Sequence, residues 1–187
     1  MTVEEIFGTI ASHMVEGLMF HSQMAEYYEF LGLHGYSQCH EYHYLCESKS
    51  YHKTIIDFID CFNKLLPGMK AEDPGLIPSS WYKHIRTDVD MNTKRNAVKT
   101  GLEKWVNWER DTKNLYQQMY KELIALNEIA AADKIVDLIK DVTNELKDAE
   151  QYLLNKKSVE YDMVNIIDEQ NKEKDEYEIK CRSLFLS

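Results

Sequence analysis

Proline is nearly absent from this chain. Pro67, Pro74 and Pro78 are the only three among 187 residues, and all fall in one short stretch. Proline removes a backbone donor and clashes with the preceding helical turn, so two long arms are left free of the strongest helix breaker. Glycine is scarce as well, at seven residues. No run of about 18 apolar residues occurs, which excludes a hydrophobic membrane-spanning helix. Glu4 and Glu5 stand where a signal peptide would be basic, so a cytoplasmic protein is expected. The four cysteines, Cys39, Cys46, Cys61 and Cys181, include no C-x-x-C pair. Three of them sit at inward helical positions and read as reduced core thiols, Cys46 included, rather than as disulfides, zinc ligands or nucleophiles. There is no glycine-rich phosphate loop, no Gly-x-Ser-x-Gly elbow and no basic aromatic patch. Nucleotide-dependent, serine-hydrolase and nucleic-acid-binding readings therefore have no motif to rest on.

What is present is ordinary globular usage, 44% hydrophobic and 29% charged, which predicts a single folded helical domain over residues 1–187. The net charge of −10 is uneven. Residues 1–66 hold 3 Lys/Arg against 9 Asp/Glu and residues 111–187 hold 11 against 17, whereas 67–110 are slightly basic. Such a surface disfavours direct contact with nucleic acid or anionic membrane, and suits either cation binding or docking on a basic protein.

Thr2-x-x-Glu5 is a capping box ahead of Ile6, Ile10, His13, Gly17, Phe20, Met24, Tyr27 and Leu31, which recur at helical spacing and predict a first helix over about 3–31. Gly32 and Gly35 mark a tight turn. A second helix over about 35–66 carries Tyr36, Cys39, His43, Cys46, Ser50, Thr54, Phe58 and Cys61 on one face. Residues from Pro67 to about Asp90 read as a long crossover, with Trp81 and Tyr82 as candidates for exposed contacts, and a long crossover joins parallel neighbours in a bundle. Third and fourth helices follow over about 93–128 and 131–156. Ser158 is a fresh cap signal for a fifth over about 159–182, its outer half solvated or packed on a partner.

The chemistry-bearing residues are grouped. His13 precedes Glu16 by three on the first helix, and His40, His43 and Glu47 share a face of the second. Glu109 interrupts the apolar stripe of the third helix, and Glu145 with Asp148 flanks that of the fourth. An ionised carboxylate in an apolar seam loses several kcal/mol of hydration unless a cation or hydrogen bonds replace it. Glu16, His43, Glu47, Glu109, Glu145 and Asp148 are therefore the candidate metal ligands, and oxygen-rich clusters with one or two imidazoles suit iron or manganese. A purely structural network of Tyr, His and Lys/Arg partners, with Glu16 and Glu145 at solvated edges, would meet the same demand.

Gly32-Leu33-x-Gly35-Tyr36, with Glu47 twelve residues past Gly35, resembles the turn and second helix of bacterial ferritins, where a Gly-Leu-x-Gly-Phe turn precedes a metal-binding Glu. The long crossover, Trp108-Glu109 and Glu145 extend the likeness over about residues 10–155. The resemblance implies an all-α, ferritin-like up-down bundle (about 3–156) with an additional C-terminal helix, and an iron or manganese centre in its core. The activity it implies is oxidation, peroxide removal or metal storage. The charged final helix offers a surface for homo-oligomerisation, which either functional reading allows. The chain departs from the family pattern in having Ser50 where Glu-x-x-His would place an imidazole. Strict spacing puts the family's first-helix Glu at Met14, two residues before Glu16, and Asp148 replaces the usual Glu or His partner of Glu145. The alternative expectation is a non-enzymatic acidic protein, such as a phage-type DNA mimic or anti-CRISPR inhibitor, docking on a basic nucleic-acid-handling enzyme.

Overall fold

The computed structural model describes residues 1–66 and 89–186, which form five helices and no strand: α1 (Val3–Phe30), α2 (His34–Phe62), α3 (Met91–Ala125), α4 (Ile129–Ser158) and α5 (Met163–Leu186). The crossover, with Trp81 and Tyr82, lies outside the described residues. The capping box forms as expected, Thr2 N–H donating to Glu5 Oε2 (2.7 Å) and Glu5 N–H to Thr2 Oγ1 (3.2 Å). Tyr28 reaches Ala97 on α3 and His13 reaches Thr112, so α1 and α3 run antiparallel, as do α1 and α2 across their short turn. That makes α2 and α3 parallel. The segment between Leu66 and Val89 therefore joins opposite ends of the bundle, Leu66 packing on the cluster that holds Phe7 and Val89 on the one that holds Tyr28.

Three boundaries differ from the sequence expectation, each for a local reason. Helix α2 stops at Phe62 because Asn63 turns left-handed (φ 51°), and Asn127 (φ 62°) ends α3 in the same way. Ser158 does not cap α5. Its hydroxyl donates back to Asn155 O at the end of α4, Glu160 and Tyr161 turn through positive φ, and the Asp162 carboxylate receives the Val164 and Asn165 N–H groups.

Helix α5 is packed on the bundle. Tyr36 bonds Glu169 near its start and Lys49 donates to Leu184 O near its end, so α5 runs parallel to α2. Lys156, 4% exposed, anchors the turn through Glu169 (2.9 Å) and Asn165 O (3.2 Å) rather than merely facing the helix end. Gly35 is required by this docking, because a Cβ there would collide with the Gln170 carbonyl. Gly35→Ala is expected to destabilise by about 2 kcal/mol or more through overpacking. Gly8→Ala, with nothing within 4 Å of the added methyl, is expected to stabilise by roughly 0.5–1 kcal/mol through helix propensity. Urea denaturation of the two variants checks the contrast, and equal shifts would contradict the docking.

The core is split in two. One apolar cluster holds Ile6, Ile10, Met14, Phe58, Tyr116, Ile135 and Val142. The other holds Phe20, Met24, Tyr28, Leu102, Trp105 and Leu146. The break falls between Met14 and Phe20 on α1, between Trp108 and Tyr116 on α3, and between Val142 and Leu146 on α4. Polar residues fill that middle layer.

Candidate metal centre

Glu109 occupies the layer because the α3 stripe Trp105, Glu109, Thr112, Tyr116 turns it inward. It is 1% exposed. Its Oε1 accepts from Trp105 Nε1 (2.9 Å), and its Oε2 is buried with no hydrogen-bond partner. Burial, then the charges of Glu145 and Glu47, push its carboxyl well above the usual carboxylate range. Glu47 on α2 is raised in the same way by burial and by Glu145. Glu145 on α4 is pushed up to about 7 by burial, then by Asp141 and Asp148. Tyr116 is raised by burial and then by all three carboxylates. The three glutamates thus act on one another from three helices. Glu47 and Glu145 are only partly screened from solvent, and exposed Asp141 stands on the α4 side of the opening. A cavity of about 20 Å³ lies beside Glu47 and Glu145, lined also by Ser50, Thr112 and Tyr116, which is room for one water or one small ion.

The α1 side of this layer carries no carboxylate. Gly17 faces Glu47, and a Cβ built on it would stand 3.0 Å from Glu47 Oε1 and 3.3 Å from Trp108 Cζ2. Glu16 is partly exposed, with Oε2 3.4 Å from His13 Nδ1. His13 closes the layer, its ring stacked on Trp108 (4.4 Å) and its Nε2 2.7 Å from Thr112 Oγ1. Burial holds its imidazole down at about 4, so it is neutral near pH 7.

A second polar layer lies toward the α1–α2 turn. His21 Nδ1 and His40 Nδ1 are 2.9 Å apart, and the His21 ring stacks on His43 at 5.2 Å. His21 Nε2 is 3.9 Å from Glu109 Oε1. A neutral pair needs one Nδ1–H and one Nδ1 lone pair, so one of His21 and His40 donates to the other. Burial holds His40 at about 3, His43 at about 4 and His21 well below its ordinary value.

Of the six candidate ligands, Glu47, Glu109 and Glu145 are near enough to act on one another electrostatically. His43 belongs to the imidazole layer, Asp148 is exposed beside a separate cavity, and Glu16 lies against His13. Sequence reading passed over His21, although its place four residues after Gly17 and three before Met24 puts it on the buried stripe of α1. Among the described residues, no three His, Cys, Asp or Glu side chains stand as a ready-made metal shell. The donor set nevertheless fits one hard cation, because all its atoms are oxygens and one buried carboxylate oxygen lacks a partner. It does not fit two, since Gly17 offers no ligand and Ser50 no imidazole.

Five helices with parallel α2 and α3, the last helix packed against α2, define a ferritin-like fold. The engineered closed form of the Archaeoglobus fulgidus ferritin superimposes with a TM-score of 0.75 over 92% of this chain and 96% of its own, at 14% identity. The open-pore ferritin from the same hyperthermophilic archaeon gives 0.74 over 90% and 92%, also at 14% identity. No protein-family model matches the sequence, and no curated protein sequence matches it. Among the described residues, no helix is long and apolar enough to cross a membrane.

Proposed function

We propose that this chain is a ferritin-like iron-binding protein whose centre takes one divalent iron ion between Glu47, Glu109 and Glu145. The observation that carries the reading is Glu109, buried at mid-bundle with one oxygen unpartnered and faced by carboxylates from two other helices. Three like charges in a dry layer repel, and a divalent cation offsets both that repulsion and the lost hydration. Iron is chosen over manganese because the structural neighbours are ferritins.

Each residue then has a part. Exposed Asp141, beside partly open Glu47 and Glu145, attracts cations to the gap between α2 and α4. Trp105 fixes Glu109 through its indole N–H. Glu47 and Glu145 give up protons as the ion enters, and the hydroxyls of Ser50 and Thr112 lie close enough to the entry cavity to hold a water there. Iron held in that place would supply one-electron chemistry toward oxygen or peroxide, or would itself be the cargo. The likeness to ferritins also supports assembly into a homo-oligomer, which light scattering tests directly. The acidic-inhibitor alternative is the weaker reading, because three of the carboxylates its charge argument counts are directed into the bundle.

Equilibrium dialysis of chelator-treated protein against anaerobic ferrous iron is the test. One ion per chain is expected, and none in the Glu47→Gln/Glu109→Gln/Glu145→Gln variant. Uptake unchanged in that variant would falsify the assignment, and two ions per chain would overturn the single-ion centre.

A further inference from the structure

A cavity of about 200 Å³ lies among α2, α4 and α5, with Trp105 of α3 between it and the carboxylate layer. It opens beside Asp148, and its walls are the rings of Tyr42, Trp105, Tyr152 and Tyr177. It is larger than the ~150 Å³ cavities known to admit benzene. One of its polar groups is an acceptor that lacks a partner, since Gln38 Oε1 is buried without a hydrogen bond, and the carboxylate of Asp148 stands exposed at the rim. The cation of the wall, Lys180, is already held by Glu173 (2.8 Å) and Glu176 (3.2 Å). The remaining demand is therefore for a donor carrying positive charge, set among aromatic rings.

We propose that this cavity binds a small organic ammonium ion. The ring faces attract the cation through their quadrupoles, while Asp148 and the Gln38 carbonyl accept its N–H groups. A bare metal ion is a poorer fit, since the volume far exceeds one ion and five of the ten lining residues, His43 included, are aromatic. Phosphates and carboxylates are excluded by the Asp148 charge at the mouth. Helix α5 builds one wall through Tyr177 and Lys180, which gives its docking on α2 a purpose beyond covering the bundle.

The test is calorimetric and uses chelator-treated full chain, so that its outcome is independent of the iron proposal. Benzylamine, protonated at neutral pH, is titrated against benzyl alcohol, which has the same skeleton without the charge. Saturable 1:1 binding is expected for the amine, about tenfold tighter than for the alcohol. Asp148→Asn, at an exposed position that leaves folding intact, is expected to bring the amine down to the alcohol's affinity and to leave the alcohol unchanged. Gln38→Leu is expected to weaken the amine in the same direction. Equal affinity for the two probes, no saturable amine binding at millimolar concentration, or an amine affinity indifferent to Asp148→Asn would each overturn the proposal.

Discussion

Metal-free protein is expected to be most stable at about pH 6 and to lose stability on both sides, in urea titrations run from about pH 4 to 9. The acid limb comes from histidine. His13, His40 and His43 are held at about 4, 3 and 4, and His21 is lowered too, against an unfolded value of 6.5. Between those values the unfolded chain binds more protons than the native one, so stability falls as pH falls from 6.5 toward 4. The alkaline limb has the opposite origin. Glu145 is raised to about 7, and Glu47 and Glu109 well above their ordinary 4.5. Their contribution is fully present below 4.5 and is lost as pH rises through the folded values, because there the native state holds protons that the unfolded chain has released. Each proton of difference gives a slope of about 1.4 kcal/mol per pH unit. Between 4.5 and about 6 the two effects oppose, and four imidazoles outweigh three carboxyls. Beyond that the carboxyls dominate, and the thiols of Cys39 and Cys46, raised by burial, add to the fall toward pH 9. Ferrous iron, binding the ionised native form, is expected to flatten the alkaline limb and leave the acid limb unchanged. A stability profile level from pH 6.5 to 9 without metal would show that the three glutamates do not share a dry layer.

How much of this was legible in the sequence follows from what kind of signal each feature leaves. Helix α1 announces itself through Thr2, Glu5 and a clean stripe, and Glu109 betrays the site because a carboxylate amid Trp105, Tyr116 and Met119 demands an explanation. Glu47 is marked instead by its spacing from His43 and from Gly35, and Glu145 by its place beside the apolar stripe of α4. The α1 side of the centre was not legible, because its determinant is a missing side chain. Gly17 passes for an ordinary apolar position, while Glu16 beside it looks like a ligand. The placement of α5 was equally hidden. A helix rich in Glu and Lys reads as solvated, yet Glu169 and Glu173 are paired with Lys156 and Lys180 against α2 and α4. Its late start escaped notice because left-handed Glu160 and Tyr161 have no compositional mark. Pairing partners distant in sequence are set by tertiary packing, which local periodicity does not encode.

Glu109→Gln is expected to move stability and iron binding in opposite directions. The amide keeps the shape of the carboxyl and can still accept from Trp105 Nε1, so the hydrogen bond at 2.9 Å survives. The amide nitrogen takes the place of the partnerless Oε2 and becomes a donor facing the Glu47 and Glu145 charges. At pH 8 without metal, the substitution removes a carboxyl that is either ionised at a desolvation penalty or protonated against its free value. A gain on the order of 2 kcal/mol follows from that relief. Iron affinity is expected to fall more than tenfold, because an amide oxygen replaces a full negative charge at the most deeply buried ligand. The combination discriminates between readings as neither measurement does alone. A polar network built only for structure would leave Gln neutral or destabilising and metal uptake unaltered. A stabilised variant that no longer retains iron is the signature of a layer that gives up folding stability for a cation, as functional sites do when groups held for binding are poorly matched without it.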